Sequence, residues 1–244
     1  MQKIVISGAS SGLGLELAKR LSKKYYIICF ARNLDKLKKK FSSNKNVEIY
    51  KVDLNNFKNL EKFLNKIILK HKNISAIINN AGQMYINDVS KIEIKKMIKV
   101  YNVNVFSPII IMKYMINHMI KNNYGRIVNI TSGAPLNCFK EYSIYSSTKA
   151  SLNSATITAS KEINDKNITI NLVSPGPIKT NMTSGMKVKF FSMDQAIKDI
   201  TKLVSKENKI NGKFIWRGKI IPIFPNLKGI NWLKGKATKN YKKI

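Results

Sequence analysis

The chain has 244 residues, of which 44 are Lys or Arg and 13 are Asp or Glu, giving a formal net charge of +31. That length suits one large α/β domain, and the charge reads either as a compositional bias over a solvated surface or as selection for an anionic partner. Two cysteines, Cys29 and Cys138, supply neither a disulfide framework nor metal-ligand spacing, so no metal is expected and a reducing, cytoplasmic setting follows.

The first apolar run, residues 3–7, predicts a strand that starts almost at Met1 and leaves no room for a signal peptide. It leads into Ser7-Gly8-Ala9-Ser10-Ser11-Gly12-Leu13-Gly14 and a helical pattern over 14–24. Glycines lacking Cβ let the backbone turn tightly and approach a pyrophosphate, while the helix N-terminus behind them offers free N–H groups and a favourable dipole. Gly8, Ser10, Ser11, Gly12, Leu13 and Gly14 are therefore candidate cofactor-binding residues.

The second strand, 26–31, ends at Arg32 and Asn33. An acidic residue here would bind a ribose 2′-hydroxyl; Arg32 is instead placed to pair with a 2′-phosphate, which favours NADP(H) and leaves NAD(H) as the other option. The third strand, 47–52, is followed by Asp53, which serves either an adenine amino group or the strand end. A helix over 57–71 and a strand over 75–79 lead to Asn80-Ala81-Gly82.

A helical pattern over 92–121 carries Asn104. Its most apolar stretch, Val105–Ile120, is interrupted by Pro108, Lys113 and His118 and is too short and polar to span a bilayer. The face Ile109–Ile120 suits core packing or a subunit contact. His71 and His118 lie in amphipathic patterns without a nucleophile or ligand set, as structural or solvated residues do.

The strand 126–131 precedes Ser132, and a helix over 145–164 opens with Tyr145-Ser146-Ser147-Thr148-Lys149. Positions i and i+4 share a helix face, so phenol and ammonium can enter one cleft. A phenol titrates near pH ~10, and a neighbouring positive charge lowers that value toward the working range. A strand over 168–173 leads to Pro175-Gly176, and the aperiodic segment 180–194 predicts a substrate loop, mobile over the site or simply superficial. The last strand falls around 213–223, and the tail 222–244, with Trp232, reads as irregular. No linker or repeat divides the chain, which predicts a single domain over 1–244. The alternation of strands and helices predicts a Rossmann-type doubly wound, mostly parallel sheet of about seven strands, with helices on both faces in three layers.

In order and spacing, Gly8/Gly12/Gly14, Asp53, Asn79-Asn80-Ala81-Gly82, Asn104, Ser132, Tyr145/Lys149 and Asn171-Leu172-Val173-Ser174-Pro175-Gly176 resemble the short-chain dehydrogenase/reductase family. The resemblance implies that Tyr145 is the proton donor and acceptor, and that Lys149 lowers its pKa and binds the nicotinamide ribose. It implies that Ser132 polarises the substrate oxygen, and that Asn104 positions a water in a proton relay. Asn80, Ala81 and Gly82 would line the cofactor. Pro175, Gly176, Ile178 and Thr180 would hold its carboxamide. A homodimer or homotetramer is implied as well. Ser7 replaces the family's usual threonine, and Gly212-Lys213-Phe214-Ile215-Trp216 departs from the Gly-Gly ending of the ketoacyl-carrier-protein reductases.

The leading expectation is an NADP(H)-dependent oxidoreductase acting on a small-molecule carbonyl or alcohol. Its positive surface suits an anionic substrate such as a nucleotide sugar, an acidic sugar or a carrier-bound acyl group. The alternative is a non-catalytic nucleotide-sensing or polyanion-binding protein on the same scaffold. No nucleic-acid motif or aromatic-basic interleaving is present, so no specific nucleic-acid partner is expected.

Overall fold

Short runs rich in Ile and Val form strands whose central members bury both faces. Six of them pair in parallel: β1 (Lys3–Ser7), β2 (Tyr26–Ala31), β3 (Val47–Lys51), β4 (Ile74–Asn79), β5 (Gly125–Ile130) and β6 (Ile168–Ser174). They belong to the computed structural model of the chain, which describes residues 1–223; the expected irregular tail, with Trp232, falls outside the described residues beyond Ile223. The expected final strand is two strands, β7 (Phe214–Trp216) parallel to β6 and β8 (Lys219–Ile221) antiparallel to β7. Between them Arg217 (φ 49°) and Gly218 (φ 77°) make the two positive-φ positions of a tight hairpin. Arg217 bears this conformation with its guanidinium stacked 4.2 Å from the Phe191 ring centroid, and Gly218 N–H donates to Asp199 at 2.9 Å. One eight-stranded sheet results, in the order β3-β2-β1-β4-β5-β6-β7-β8.

Among the described residues eight α-helices connect the strands: α1 (Gly12–Leu21), α2 (Leu34–Phe41), α3 (Phe57–Lys70), α4 (Ile94–Tyr101), α5 (Ser107–Lys121), α6 (Ala134–Asn137), α7 (Ser143–Glu162) and α8 (Met193–Val204). Because strand side chains alternate faces, Ile4 and Ile6 of β1 enter one core with α1 and α8, while Val5 enters the other with α3 and α5. The order reverses at β1 and β4, which opens a crevice beyond the strands' C-terminal ends.

The helix predicted over 92–121 is continuous from Ile94 to Lys121 but widens into a π-turn over Asn102–Phe106. By length and composition this helix passes as a membrane span, unlike the shorter stretch Val105–Ile120. It nevertheless packs in the domain, with 56% of its apolar window buried and Ile111, Met112, Met115 and Met119 in the core.

Both histidines are buried. His118 Nε2 accepts the Ile74 N–H at 3.2 Å, a role open only to the neutral ring. Burial, then nearby Lys121, holds its pKa below the ordinary value. A folded-state pKa below the unfolded one makes this contribution complete above the unfolded value of ~6.5 and lost as pH falls through the folded value. Urea midpoints should therefore decline from pH 7 to pH 5, and His118→Gln should flatten that decline.

Candidate active site

All but two of the sequence-predicted site residues line one cavity of about 1040 Å3 at the crevice; Gly14 and Asn104 stand behind its wall. At one end the turn after β1 holds Gly8 (φ 67°) and Gly12 (φ 54°) in the left-handed region that favours glycine. Ser11 begins α1 without a side-chain cap, so the helix's first N–H groups, with Gly12 and Leu13 on the cavity wall, remain for a ligand. Gly14 works differently from the expectation of a cofactor contact. A Cβ there would come within 2.5 Å of the Gly8 carbonyl oxygen and closer still to Asn80 Nδ2.

Those contacts belong to a clasp between β1 and β4. Ser7 Oγ accepts the N–H groups of Asn80 and Ala81, each at 3.0 Å, and Asn80 Nδ2 donates to the Ser7 and Gly8 carbonyls at 3.0 and 3.3 Å. Serine thus keeps the hydrogen bonding expected at the family's threonine position. Arg32 and Asn33 follow β2. Arg32 lines the cavity together with Lys36, while Asn33 caps α2 by accepting the Lys36 N–H at 2.9 Å. Asp53 also lines the cavity, and its Oδ1 accepts the Asn55 N–H at 3.0 Å, a local turn of the kind aspartate makes.

At the other end, Ser132 follows β5 and Tyr145 and Lys149 share a face of α7. Both Ser132 and Tyr145 line the cavity, and Ser132 Oγ accepts the Ala134 N–H at 3.1 Å. Lys149 is buried, its Nζ donating to the Ile130 carbonyl at 2.9 Å and lying 5.9 Å from the Tyr145 ring centroid. Burial alone brings the Lys149 pKa down to about 8. Burial pushes the phenol up, and the Ser132 hydroxyl pulls it back down.

Asn104 lies in the π-turn, fully buried. Its Oδ1 accepts the Gln83 N–H at 2.8 Å, and its Nδ2 donates to the Gln83 carbonyl at 2.8 Å and to Thr148 Oγ1 at 3.1 Å. A π-turn commonly marks a functional position within a helix. Here it aims one amide at the chain beyond β4 and at the residue preceding Lys149. Beneath the site, Asn79 Nδ2 donates to Asn129 and Asn129 Nδ2 to Thr156, both at 2.8 Å, tying β4, β5 and α7 together through the core.

Sequence reasoning missed Lys36, Gln83 and an apolar group at the cavity mouth, including Phe139, Tyr142, Met182 and Trp216. Lys36 had a signal, four positions after Arg32. The others are brought in by tertiary placement alone. Of the cysteines, Cys29 is buried, its thiol pushed up to about 12, and Cys138 is exposed; both are free. Among the described residues no group of three metal-ligating side chains occurs.

The short chain dehydrogenase family model matches residues 2–189. This chain belongs to the short-chain dehydrogenase family. It is 29% identical over 214 residues to diacetyl reductase, (S)-acetoin forming, of Staphylococcus epidermidis, covering 84% of this chain and 83% of that one. Its fold matches ElxO with NADP bound at a TM-score of 0.82 and 27% identity, across 89% of this chain and 97% of that one. It also matches 4-hydroxyisoleucine dehydrogenase complexed with NADH at 0.83 and 24%, across 88% and 96%, a likeness of fold. As a short-chain dehydrogenase the protein is an oxidoreductase that uses a nicotinamide dinucleotide. The cavity fits that cofactor: a Cβ on Gly8 would stand 2.8 Å from the Ala81 Cα, narrowing the cradle, and buried Ser174 Oγ, on the wall, has no partner within the described residues.

Gly14→Ala should cost about 1–3 kcal/mol by overpacking the clasp. At Gly82 an added Cβ meets only ordinary contacts, the nearest 3.5 Å away, so Gly82→Ala should stay within about 1 kcal/mol of wild type. Urea titration of the two variants distinguishes these outcomes.

Proposed function

We propose that the protein interconverts a carbonyl and a secondary alcohol using NADP(H), with Tyr145 as acid and base. The observation that carries this reading is that Ser132, Tyr145 and Lys149, with the Lys149 Nζ 5.9 Å from the phenol ring centroid, line the same cavity as the glycine cradle. The bound nicotinamide supplies the hydride for reduction and takes it back in oxidation. In the reductive direction Ser132 donates to the substrate oxygen, and the phenolic proton passes to that oxygen as the carbonyl becomes an alcohol. The phenolate left behind is stabilised by the Lys149 ammonium, which is charged below about 8. Oxidation runs the same steps backwards, with the phenolate as base.

Lys149 also meets the nicotinamide ribose, and its proton is restored through a relay past Asn104. The Asn104 side chain is engaged with Gln83 and Thr148, so it serves that relay as a positioning group. Pro175, Gly176, Ile178 and Thr180 would hold the carboxamide, and Asn80, Ala81 and Gly82 would line the cofactor. Asp53 serves the adenine end.

Arg32 and Lys36, two cations at the end of β2, support the choice of NADP(H), since both can pair with a 2′-phosphate. The exposed side chains Ile94, Ile98, Phe106 and Ile109 along α4 and α5 support assembly as a homodimer or homotetramer.

Tyr145→Phe should lower kcat/KM by ~10²–10⁴ while cofactor binding, read by NADPH fluorescence, stays near wild type; retained turnover would remove the phenol from the reaction. Arg32→Ala should weaken NADPH by roughly tenfold or more, as loss of charge-assisted bonds does, with NADH little affected. Equal effects on both cofactors would overturn the NADP(H) preference.

A further inference from the structure

The protein's net charge favours an anionic substrate, but the wall around Tyr145 favours the reverse. Among the described residues lining the cavity, the charged ones are Arg32, Lys36, Asp53 and Lys149. Arg32 and Lys36 follow β2 and Asp53 follows β3, whereas Ser132 follows β5. In the sheet order β2 lies three strands from β5 and β3 four, a separation of roughly 14–19 Å at about 4.8 Å per strand. Lys149 is spent on the Ile130 carbonyl and on the phenol. A carboxylate or phosphate seated beside Tyr145 would therefore lose its water without gaining a cation of its own, which is strongly unfavourable. Among the described residues no further basic side chain lines this end of the cavity.

What lines this end instead is apolar. Phe139, Tyr142 and Tyr145 form a row of edge-to-face rings with centroids 5.7 and 6.3 Å apart, leading from the open surface to the reactive phenol. Five of the fifteen exposed large apolar side chains of the described residues, Leu136, Phe139, Met182, Val188 and Trp216, gather on this one cavity. Scattered exposed apolar residues need no explanation, but a group around a concave reactive site marks what binds there. Aromatic edges and methionine sulfurs suit a flat, unsaturated group.

We propose that the chamber accepts an uncharged ketone bearing an aromatic group next to the carbonyl, with that group seated against Phe139 and Tyr142. The assignment rests on the carbonyl-reductase reading for its chemistry, and its test is separable from it. Methyl benzoylformate and the benzoylformate anion present the same phenyl ketone with and without charge. Calorimetric titration of both into the NADPH-saturated Tyr145→Phe protein, whose reduced nicotinamide adds no positive charge at the site, should show the ester binding at least about tenfold more tightly. Comparable or tighter binding of the anion, or no binding of the ester, overturns the proposal.

Phe139 is 54% exposed, so Phe139→Ala should fold. In the otherwise wild-type enzyme it should reduce selectivity for the ester over butane-2,3-dione, the ratio of kcat/KM values, about five- to tenfold. An unchanged ratio removes Phe139 from the site. If the ester binds selectively but wild-type protein reduces it with neither NADPH nor NADH, the reductase reading fails while the chamber's preference stands.

Discussion

The Lys149 ammonium, buried and held 2.9 Å from the Ile130 carbonyl, couples helix α7 to the strand that delivers Ser132. A buried ammonium without a carboxylate partner is costly, and the protein meets that cost with a backbone dipole and a pKa brought down to about 8. The lysine can therefore give up and regain its proton near neutral pH, which a surface lysine cannot do. The same contact fixes the helix against the strand end. Tyr145, one turn earlier on α7, is thereby set in the same cavity as Ser132.

Around that contact the domain divides into a rigid floor and an apolar mouth. The floor is held by directional bonds: the Ser7 clasp on Asn80 and Ala81, the Asn104 amide on Gln83, and the Asn79–Asn129–Thr156 chain through the core. Buried polar chains of this kind fix register because each misplacement strands a donor or acceptor. The mouth is lined by side chains that pack without fixed partners. Chemistry is thus positioned by hydrogen bonds, and recognition is left to shape and polarity.

Much of this was legible in the sequence because both faces of the central strands are covered, so each reads as a short run dominated by apolar residues, as in Ala76–Ile78. The glycine turn, Ser132 and Tyr145/Lys149 were legible because their chemistry depends on local spacing. The eighth strand was hidden by its brevity: Phe214–Trp216 and Lys219–Ile221 are three residues each, separated by a turn that only the backbone angles reveal. The π-turn at Asn104 was hidden because a single widened turn leaves the helical period of its neighbours intact. Gly14 was placed correctly in the turn, but its packing against Asn80 joins segments far apart in the chain. The aromatic row at the mouth is spaced three residues apart, but Phe139 and Tyr142 precede α7, so the spacing alone did not announce a site.

The β7–β8 hairpin, which already gives Trp216 to the cavity mouth, also bears on the site through a chain of contacts. Asp199 of α8 holds the Gly218 N–H, Arg217 lies over the Phe191 ring, and that ring packs so closely on Gly176 that an added Cβ would stand 2.9 Å from it. Gly176 is part of the cavity wall. The edge of the sheet therefore acts as a buttress, and α8, which supplies no residue to the cavity, helps set the position of its wall.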